Sequence, residues 1–389
     1  MSELYSVAPI HSKYIDLQKY FYMYFDVKIK MGVNMILKIF KSIAILMFLS
    51  ASSNAETFTL RLGSGHPVGA LEYTKTAHEW FAPELKKRIE TKTKHKVNIQ
   101  ELHAGQVAKV TEVLEATRDG LLDIGFVSLI FEPSNSFHNN FTLMVPFSSP
   151  DSKITTKAAM ETYKKHPELT SYFEKKFNQK WLGGACLTNY GMGTKFEWNN
   201  FSQLKGRKIA GAGINLGWLA QDKGGATPVA SNLNEAYQSI QSGVYEGYLS
   251  TSRWWSTFKL NEVGKYYTKT DFGAQFFNVV NVNLNTFKKL PKDVQQILIE
   301  LGSEWAGVTA EVCEQFDNEG LKVLKSKGVI VKEISKEAKV EWANALKDMP
   351  NQMAQDLNKK GYKGSAIIKT YISELEKLGY KFPVNYKIN

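Results

Sequence analysis

The sequence predicts an α/β protein with two lobes and a ligand cleft between them. Strand patterns alternate with helical patterns over 58–127, as in a sheet with crossover helices. The alternation restarts at 180 and continues to 284, so we expect two such sheets. A length of 389 residues, 43% of them apolar, is enough for two lobes. Ligands of open α/β sheets bind beyond the carboxyl ends of the strands, which places a candidate site between the lobes.

Hydrophobic periodicity predicts the elements of the first lobe. The strands and helices alternate in the order strand 58–62, helix 70–90, strand 97–99, helix 107–119 and strand 123–127. Pro83 falls inside the first helix and is expected to kink or divide it, because proline lacks the N–H that the helix needs.

The second lobe follows the same pattern and leads into a helical C-terminal region. The predicted elements are strands over 180–187, 208–210, 245–250 and 276–284 and a helix over 232–243. A long helix is predicted over 291–324, and further helices from 335 onward. We expect lobe 1 to comprise 56–186 with roughly 284–330, and lobe 2 to comprise 187–283 with roughly 331–389.

The first 55 residues are interpreted as a leader rather than as part of the fold. Two lysines precede the apolar run 43–49, and small residues end at Ala55, which is typical of a secretory signal peptide. The run is shorter than the roughly 20 residues that span a bilayer. We expect cleavage after Ala55 and a periplasmic location. Since such a signal begins near its basic region, translation is expected to start at Met35 or Met31, with the preceding residues an upstream artefact.

Composition and spacing exclude several classes of site. The formal net charge is +11, but the lysines are mixed with acids and form no basic stripe, so we predict no nucleic-acid partner. The seven histidines form no HExxH or other metal spacing, and no P-loop is present, so no metal or cofactor is expected. Cys186 and Cys313 are interpreted as small buried residues, although an exported location would also permit a disulfide.

Seven short motifs occur in an order that resembles one family. They are GHP at Gly65–Pro67, AGQV at Ala104–Val107, TRDGLLDIGFVS at Thr117–Ser128, MVPF at Met144–Phe147, LKGRKIAG at Leu204–Gly211, NEAYQSIQSGVYEG at Asn234–Gly247 and LPKDVQQILIE at Leu290–Glu300. Together they resemble the substrate-binding subunits of TRAP transporters (tripartite ATP-independent periplasmic transporters), of the dicarboxylate-binding type. The resemblance covers nearly all of 56–389.

The resemblance implies a two-lobed periplasmic binding protein fold, with crossing strands and a long helix that joins the lobes. It also implies a small organic ligand and a partner, the membrane permease of the transporter. One position departs from the family pattern. The family usually has an arginine after Lys-Ile in the LKG motif, which clamps a ligand carboxylate, and Ala210 stands there in this chain.

Other residues are therefore predicted to hold the ligand. Arg253, just past a second-lobe strand, is the candidate cation, and the loop Gly211–Gly217 with Asn215 offers backbone N–H groups to an anion. The remaining candidates are the aromatic residues Trp218, Trp254, Trp255 and Tyr190, with His66 and Ser128 from the first lobe. Each also has a purely structural interpretation, as a surface cation, a core ring or a hydrogen-bonded histidine.

These residues predict a ligand with one anionic group and a sizeable apolar, aromatic or cationic remainder. A zwitterionic or betaine-like solute in an aromatic cleft is the alternative. An exported enzyme that acts on small organic acids is a third interpretation, but no catalytic motif supports it.

Overall fold

The computed structural model describes residues 19–33, Met35 and 55–389. The chain divides into two compact units, Met1–Ala55 and Glu56–Asn389. In the first unit, residues 19–33 are helical. The apolar core of the predicted signal peptide, at 43–49, lies outside the described residues. Within the described part of the chain, no helix is both long enough and apolar enough to cross a membrane.

Eleven described strands form two sheets in the second unit. In chain order they are β1 (Thr57–Gly63), β2 (Lys96–Leu102), β3 (Ile124–Ser128), β4 (Gln179–Leu187), β5 (Gly191–Thr194), β6 (Lys208–Gly211), β7 (Thr227–Ala230), β8 (Gly247–Ser250), β9 (Tyr266–Lys269), β10 (Gln275–Asn283) and β11 (Ile330–Glu333). The first sheet has the order β2-β1-β3-β10-β4 and the second has the order β11-β9-β5-β8-β6-β7. The two α/β sheets predicted from the sequence are therefore present.

Both sheets are mixed rather than purely parallel. In the first sheet β1 pairs in parallel with β2 and β3, whereas β10 is antiparallel to both β3 and β4. In the second sheet β5 runs antiparallel to β8 and β9. The sequence prediction assigned the strand 276–284 to lobe 2, but its observed counterpart β10 pairs entirely within the first sheet. We therefore assign β4 and β10 to the first sheet, from which they run toward the second.

The described helices of the second unit cover the two sheets. They are α1 (Glu72–Thr76), α2 (Ala82–Lys92), α3 (Val113–Arg118), α4 (Ser152–Lys165), α5 (Glu168–Phe177), α6 (Leu233–Ser242), α7 (Ser252–Thr257), α8 (Leu260–Val263), α9 (Leu284–Lys289), α10 (Lys292–Ser326), α11 (Lys336–Ala345), α12 (Met349–Lys359) and α13 (Gly364–Lys377). Short 3-10 helices cover Leu129–Phe131, Phe137–Met144, Phe201–Leu204, Gly213–Leu219 and Gln221–Lys223.

Two of the predicted helices differ from the observed ones, one because it is divided and the other because it begins later. The helix predicted over 70–90 is divided by a π-helical turn at Ala77–Phe81, directly before the helical turn that contains Pro83. The helix predicted over 107–119 begins only at Val113. The residues before it pass so close to Gly65 that a Cβ there would lie 2.3 Å from the Val110 backbone nitrogen.

The long helix α10 links the two sheets, as the family resemblance implies. With 35 residues it is roughly 52 Å long. Near its start it lies directly on β4, because a Cβ at Gly302 would come within 2.5 Å of the Leu182 carbonyl oxygen. Near its end it lies on α7, because Ser252 Oγ donates to the Asp317 backbone oxygen at 3.2 Å.

Both cysteines are buried and free. Cys313 Sγ, on α10, donates to the Cys186 carbonyl oxygen on β4 at 3.3 Å. Burial raises the pKa of both thiols well above the ordinary value, so both are neutral at physiological pH. The interpretation as buried small residues agrees with this arrangement.

Candidate functional site

A cavity with about 340 Å³ of empty space lies between the two sheets. Its walls lie close together. From the first sheet and its loops it is lined by His66, Leu71, Ser128, Ile130, Phe131, Leu187 and Phe277. From the second it is lined by Tyr190, Ala212, Asn215, Leu233, Tyr248, Leu249 and Trp254. Apolar walls with a few polar groups are typical of a site for a small ligand.

The first-lobe wall is built at the carboxyl ends of β1 and β3. His66 lies in the loop after β1, and Ser128 is the last residue of β3. Because the two strands are parallel neighbours, their carboxyl ends meet at one edge of the sheet and bring these two side chains to the same cavity. The sequence prediction of both residues agrees with their place in this wall.

His66 presents one ring nitrogen to the cavity as a hydrogen-bond donor. Its Nδ1 lies 2.7 Å from the Tyr73 hydroxyl. We assign the Tyr73 hydroxyl as the donor, because it makes no other hydrogen bond and this leaves the proton of neutral His66 on Nε2. Burial lowers the pKa of His66 to about 4, so the imidazole is neutral near pH 7.

The second-lobe wall carries two further polar groups. Asn215 Oδ1 accepts a hydrogen bond from the Ala212 backbone N–H at 2.9 Å, which fixes the amide and leaves its NH₂ group free to donate. The Tyr190 ring lies edge-on to Trp254, with ring centroids 5.5 Å apart, and burial raises the pKa of its hydroxyl well above the ordinary value. Both side chains are therefore fixed, neutral hydrogen-bonding groups at the cavity.

Trp254 connects the cavity to a buried carboxyl that the sequence analysis did not single out. The indole lines the cavity, and its Nε1 donates to Glu72 Oε2 at 3.3 Å. Glu72 begins α1 beside Leu71, another wall residue, and is completely buried. A glutamate in an amphipathic helix is ordinarily exposed, so the sequence gave no signal for this position. Tyr248, Phe131 and Phe277 are aromatic wall residues that were also missed.

No Lys or Arg lines this cavity among residues 55–389. Ala210, where the family usually has an arginine, is fully buried in β6. Its neighbours in the sheet, β7 and β8, flank it on both sides. The cavity therefore offers an anion neutral donors and aromatic faces in place of a two-pronged guanidinium clamp.

Three predicted ligand residues do not line the cavity, namely Trp218, Trp255 and Arg253. Trp255 points into the second lobe, where its Nε1 donates to the Gly264 carbonyl at 3.1 Å. Trp218 lies behind Tyr190, with ring centroids 5.5 Å apart, and donates to the Leu143 carbonyl. Both are fully buried and neither lines the cavity. Their role in the structure is to support the wall that Tyr190 and Trp254 form.

Arg253 faces the long helix rather than the cavity. Arg253 does not line the cavity, whereas its neighbour Trp254 does. The guanidinium lies 4.5 Å from the centroid of the Phe316 ring, and its NH1 is 3.6 Å from Glu319 Oε2. Both partners belong to α10. The sequence prediction that Arg253 supplies the ligand's cation does not agree with this geometry.

Replacing Arg253 with alanine is therefore expected to leave ligand affinity within about twofold of wild type. The loss of its contacts with Phe316 should lower the free energy of unfolding by about 1 kcal/mol, the usual scale for such cation–π contacts. Isothermal titration calorimetry and chemical denaturation measure the two quantities. A loss of affinity above tenfold would return Arg253 to the ligand site.

The comparisons with known proteins agree with this architecture. The family model for the bacterial extracellular solute-binding protein, family 7, matches residues 70–357. A solute-binding protein of Albidiferax ferrireducens is 24% identical over 301 residues, which is 74% of this chain and 84% of the relative.

Two solved structures are similar to this chain over most of its length. One is a TRAP periplasmic solute-binding protein from Bordetella bronchiseptica with bound (R)-mandelate and (S)-mandelate, with a TM-score of 0.71 at 22% identity, covering 82% of this chain and 99% of that one. Another is a TRAP solute-binding protein from Rhodoferax ferrireducens in complex with copurified benzoate, with a TM-score of 0.72 at 16% identity, covering 82% and 98%. Similarity at this level of identity establishes the fold.

Proposed function

This chain belongs to the bacterial extracellular solute-binding proteins of family 7, and from that premise we propose that it captures a small aromatic monocarboxylate. We further propose that it acts in the periplasm and delivers this ligand to the membrane permease of a TRAP transporter. The observation that carries the ligand class is the wall of the cavity. Five aromatic and six aliphatic side chains make up most of it, four side chains offer it hydrogen-bonding groups, and no cation of residues 55–389 lines it.

The four polar groups suit one carboxylate. His66, Ser128, Tyr190 and Asn215 each have a hydrogen-bonding group that no described residue occupies. A carboxylate can accept about four hydrogen bonds, so these four side chains together satisfy one carboxylate. A second carboxylate would be buried without a partner, at a cost of several kcal/mol, which is enough to abolish micromolar binding.

The chemistry of the walls suits a ring as the remainder of the ligand. Phe131, Phe277, Tyr248 and Trp254 supply apolar faces. Aromatic rings pack well against one another in edge-on and offset arrangements. The aromatic acids held by the two related structures, mandelate and benzoate, have the same combination of one carboxylate and one ring.

We expect benzoate, mandelate and 3-hydroxybenzoate to stabilise the protein, and succinate and malate to leave it unchanged. A ligand at 100 times its Kd adds about 2.7 kcal/mol to the free energy of unfolding, which a thermal-shift screen detects easily. Calorimetry then gives the Kd of each hit. Tighter binding of succinate or malate than of every monocarboxylate would overturn the proposed ligand class.

A betaine-like zwitterion is the second candidate, because aromatic faces also hold quaternary ammonium groups. The buried Glu72 carboxyl behind Trp254 favours it, since a negative charge there would attract a cationic group in the cavity. Glycine betaine and proline betaine in the same screen decide between the two classes. Binding of betaines without binding of benzoate would establish the second candidate.

A further inference from the structure

Glu72 is a buried carboxyl behind the cavity wall. Its side chain is 0% exposed. Oε2 accepts a hydrogen bond from the Trp254 indole at 3.3 Å, and Oε1 accepts one from the Thr188 backbone N–H at 3.4 Å. Both hydrogen bonds are long, and among residues 55–389 no Lys or Arg forms a salt bridge with this carboxyl. A negative charge here is therefore stabilised by hydrogen-bond donors of Glu72 itself, Thr188 and Trp254, and by no cation of residues 55–389.

The titratable groups that face this carboxyl are neutral. Cys186 at the end of β4, Tyr190 just after it and Cys313 on α10 all have a pKa raised by burial, with a further contribution from the nearby carboxyl. From α7 it is faced by Trp254, which does not titrate. His66, which lines the cavity, is neutral near pH 7 because burial lowers its pKa to about 4. None of these groups offsets a charge on the carboxyl, and burial raises its own pKa as well.

An anion in the cavity would be a second negative charge beside the first. Trp254 contacts both sites, so a single indole separates them. Two like charges on either side of one indole, in surroundings of low dielectric constant, repel each other and weaken binding of the anion. In such a pair, one group is driven to take a proton.

We propose that Glu72 takes up one proton from solvent when an anionic ligand enters the cavity, so that the protein captures a carboxylate and a proton together. This inference rests on the proposed function, because it requires an anionic ligand. The proton bonds to a carboxylate oxygen, and no other covalent bond forms or breaks. Thr188 Oγ1 is buried beside this carboxyl, and a hydroxyl can donate to the ionised group or accept from the protonated one.

The proposal fixes the direction of the pH dependence. The bound anion raises the pKa of Glu72 above its value in the ligand-free protein. Affinity is therefore highest below the ligand-free pKa and falls as the pH rises through the interval between the two values. Within that interval the decrease approaches tenfold for each pH unit. A ligand carboxylate that is ionised throughout cannot itself cause this change.

Titration of the purified protein with benzoate tests the proposal, because benzoate is ionised from pH 6 to pH 8. Calorimetry in buffers of different ionisation enthalpy measures the number of protons taken up. For wild type we expect a measurable uptake of at most one proton and an affinity that falls as the pH rises. Glu72→Gln keeps the size and hydrogen-bonding ability of the side chain, and should show no uptake and less than about twofold change with pH.

The matched control is Glu79→Gln, which removes an exposed carboxylate from the same helical segment and should behave as wild type. Benzoate binding without proton uptake by wild type would overturn the inference and leave the proposed function standing. Uptake that persists in Glu72→Gln and disappears in His66→Gln would also overturn it, since the proton would then reside on the imidazole. If benzoate and every other monocarboxylate fail to bind, the proposed function fails and the inference fails with it.

Discussion

Replacing Trp254 with alanine is expected to weaken benzoate binding by at least about 100-fold, or about 2.7 kcal/mol. The indole is 4% exposed and forms part of the cavity wall. Its removal opens the wall to water and takes away the face on which a ring would pack. It also removes the indole N–H that donates to Glu72. An ionised Glu72 would then be solvated close to the bound anion.

Two further variants separate these effects. Trp254→Phe keeps an aromatic face and loses only the N–H, which donates to Glu72 and not to the ligand, so it should bind benzoate within about threefold of wild type. Trp80→Ala removes a half-buried tryptophan of the π-helical turn that does not line the cavity, and should bind benzoate as wild type does. Calorimetry measures all three, with thermal unfolding as the check on folding. Wild-type affinity in Trp254→Ala would exclude this cavity as the benzoate site.

The sequence predicted the architecture well where hydrophobic periodicity was long enough to identify an element. The strand at 180–187 and the helix at 291–324 lie within one or two residues of β4 and α10. The strands β5, β7, β9 and β11 were missed. Each has four residues, as do β6 and β8, which were predicted, so an element this short gives at best a weak pattern. Their pairing depends on contacts between distant parts of the chain, and local sequence does not encode those contacts.

The candidate site was predicted by position but not by side-chain direction. His66, Ser128, Tyr190, Asn215 and Trp254 all line the cavity, because they lie next to strand ends that the sequence identified. The choice between Trp254 and its neighbours could not be made in the same way. The rotation of α7 about its axis decides which of these side chains faces the cavity. That rotation depends on how α7 packs on α10, which the sequence of α7 alone does not give.

Glu72 illustrates a second limit of sequence reasoning. Its helix looks amphipathic, and a glutamate at such a position is ordinarily solvent-facing. Its burial results from β4, α7 and α10, which cover that face of α1 from three distant parts of the chain. The indole N–H that meets it belongs to residue 254, 182 positions away. A single sequence carries no signal for such a pair.

Replacing Gly213 with alanine is expected to weaken benzoate binding by about 30-fold or more by keeping the lobes from closing. Gly213 follows β6 of the second sheet, and a Cβ there would lie 2.5 Å from the carbonyl oxygen of Ile130, which follows β3 of the first sheet. An added methyl group would have to push this contact apart, and overpacking on this scale costs about 1–3 kcal/mol. Since two-lobed binding proteins close around their ligand by hinge bending, the cost falls on the closed form.

Gly206→Ala is the matched control, because Gly206 has φ +78, comparable with φ +57 at Gly213, but no atom within 4 Å of an added Cβ. Both variants therefore share the strain of a left-handed alanine, and only one meets the opposite lobe. Small-angle scattering with saturating benzoate should show a decrease in radius of gyration for wild type and Gly206→Ala, and a smaller decrease for Gly213→Ala. Equal compaction and equal affinity in the two variants would mean that the contact between Gly213 and Ile130 does not limit closure. The lobes would then bind the ligand without forming that contact.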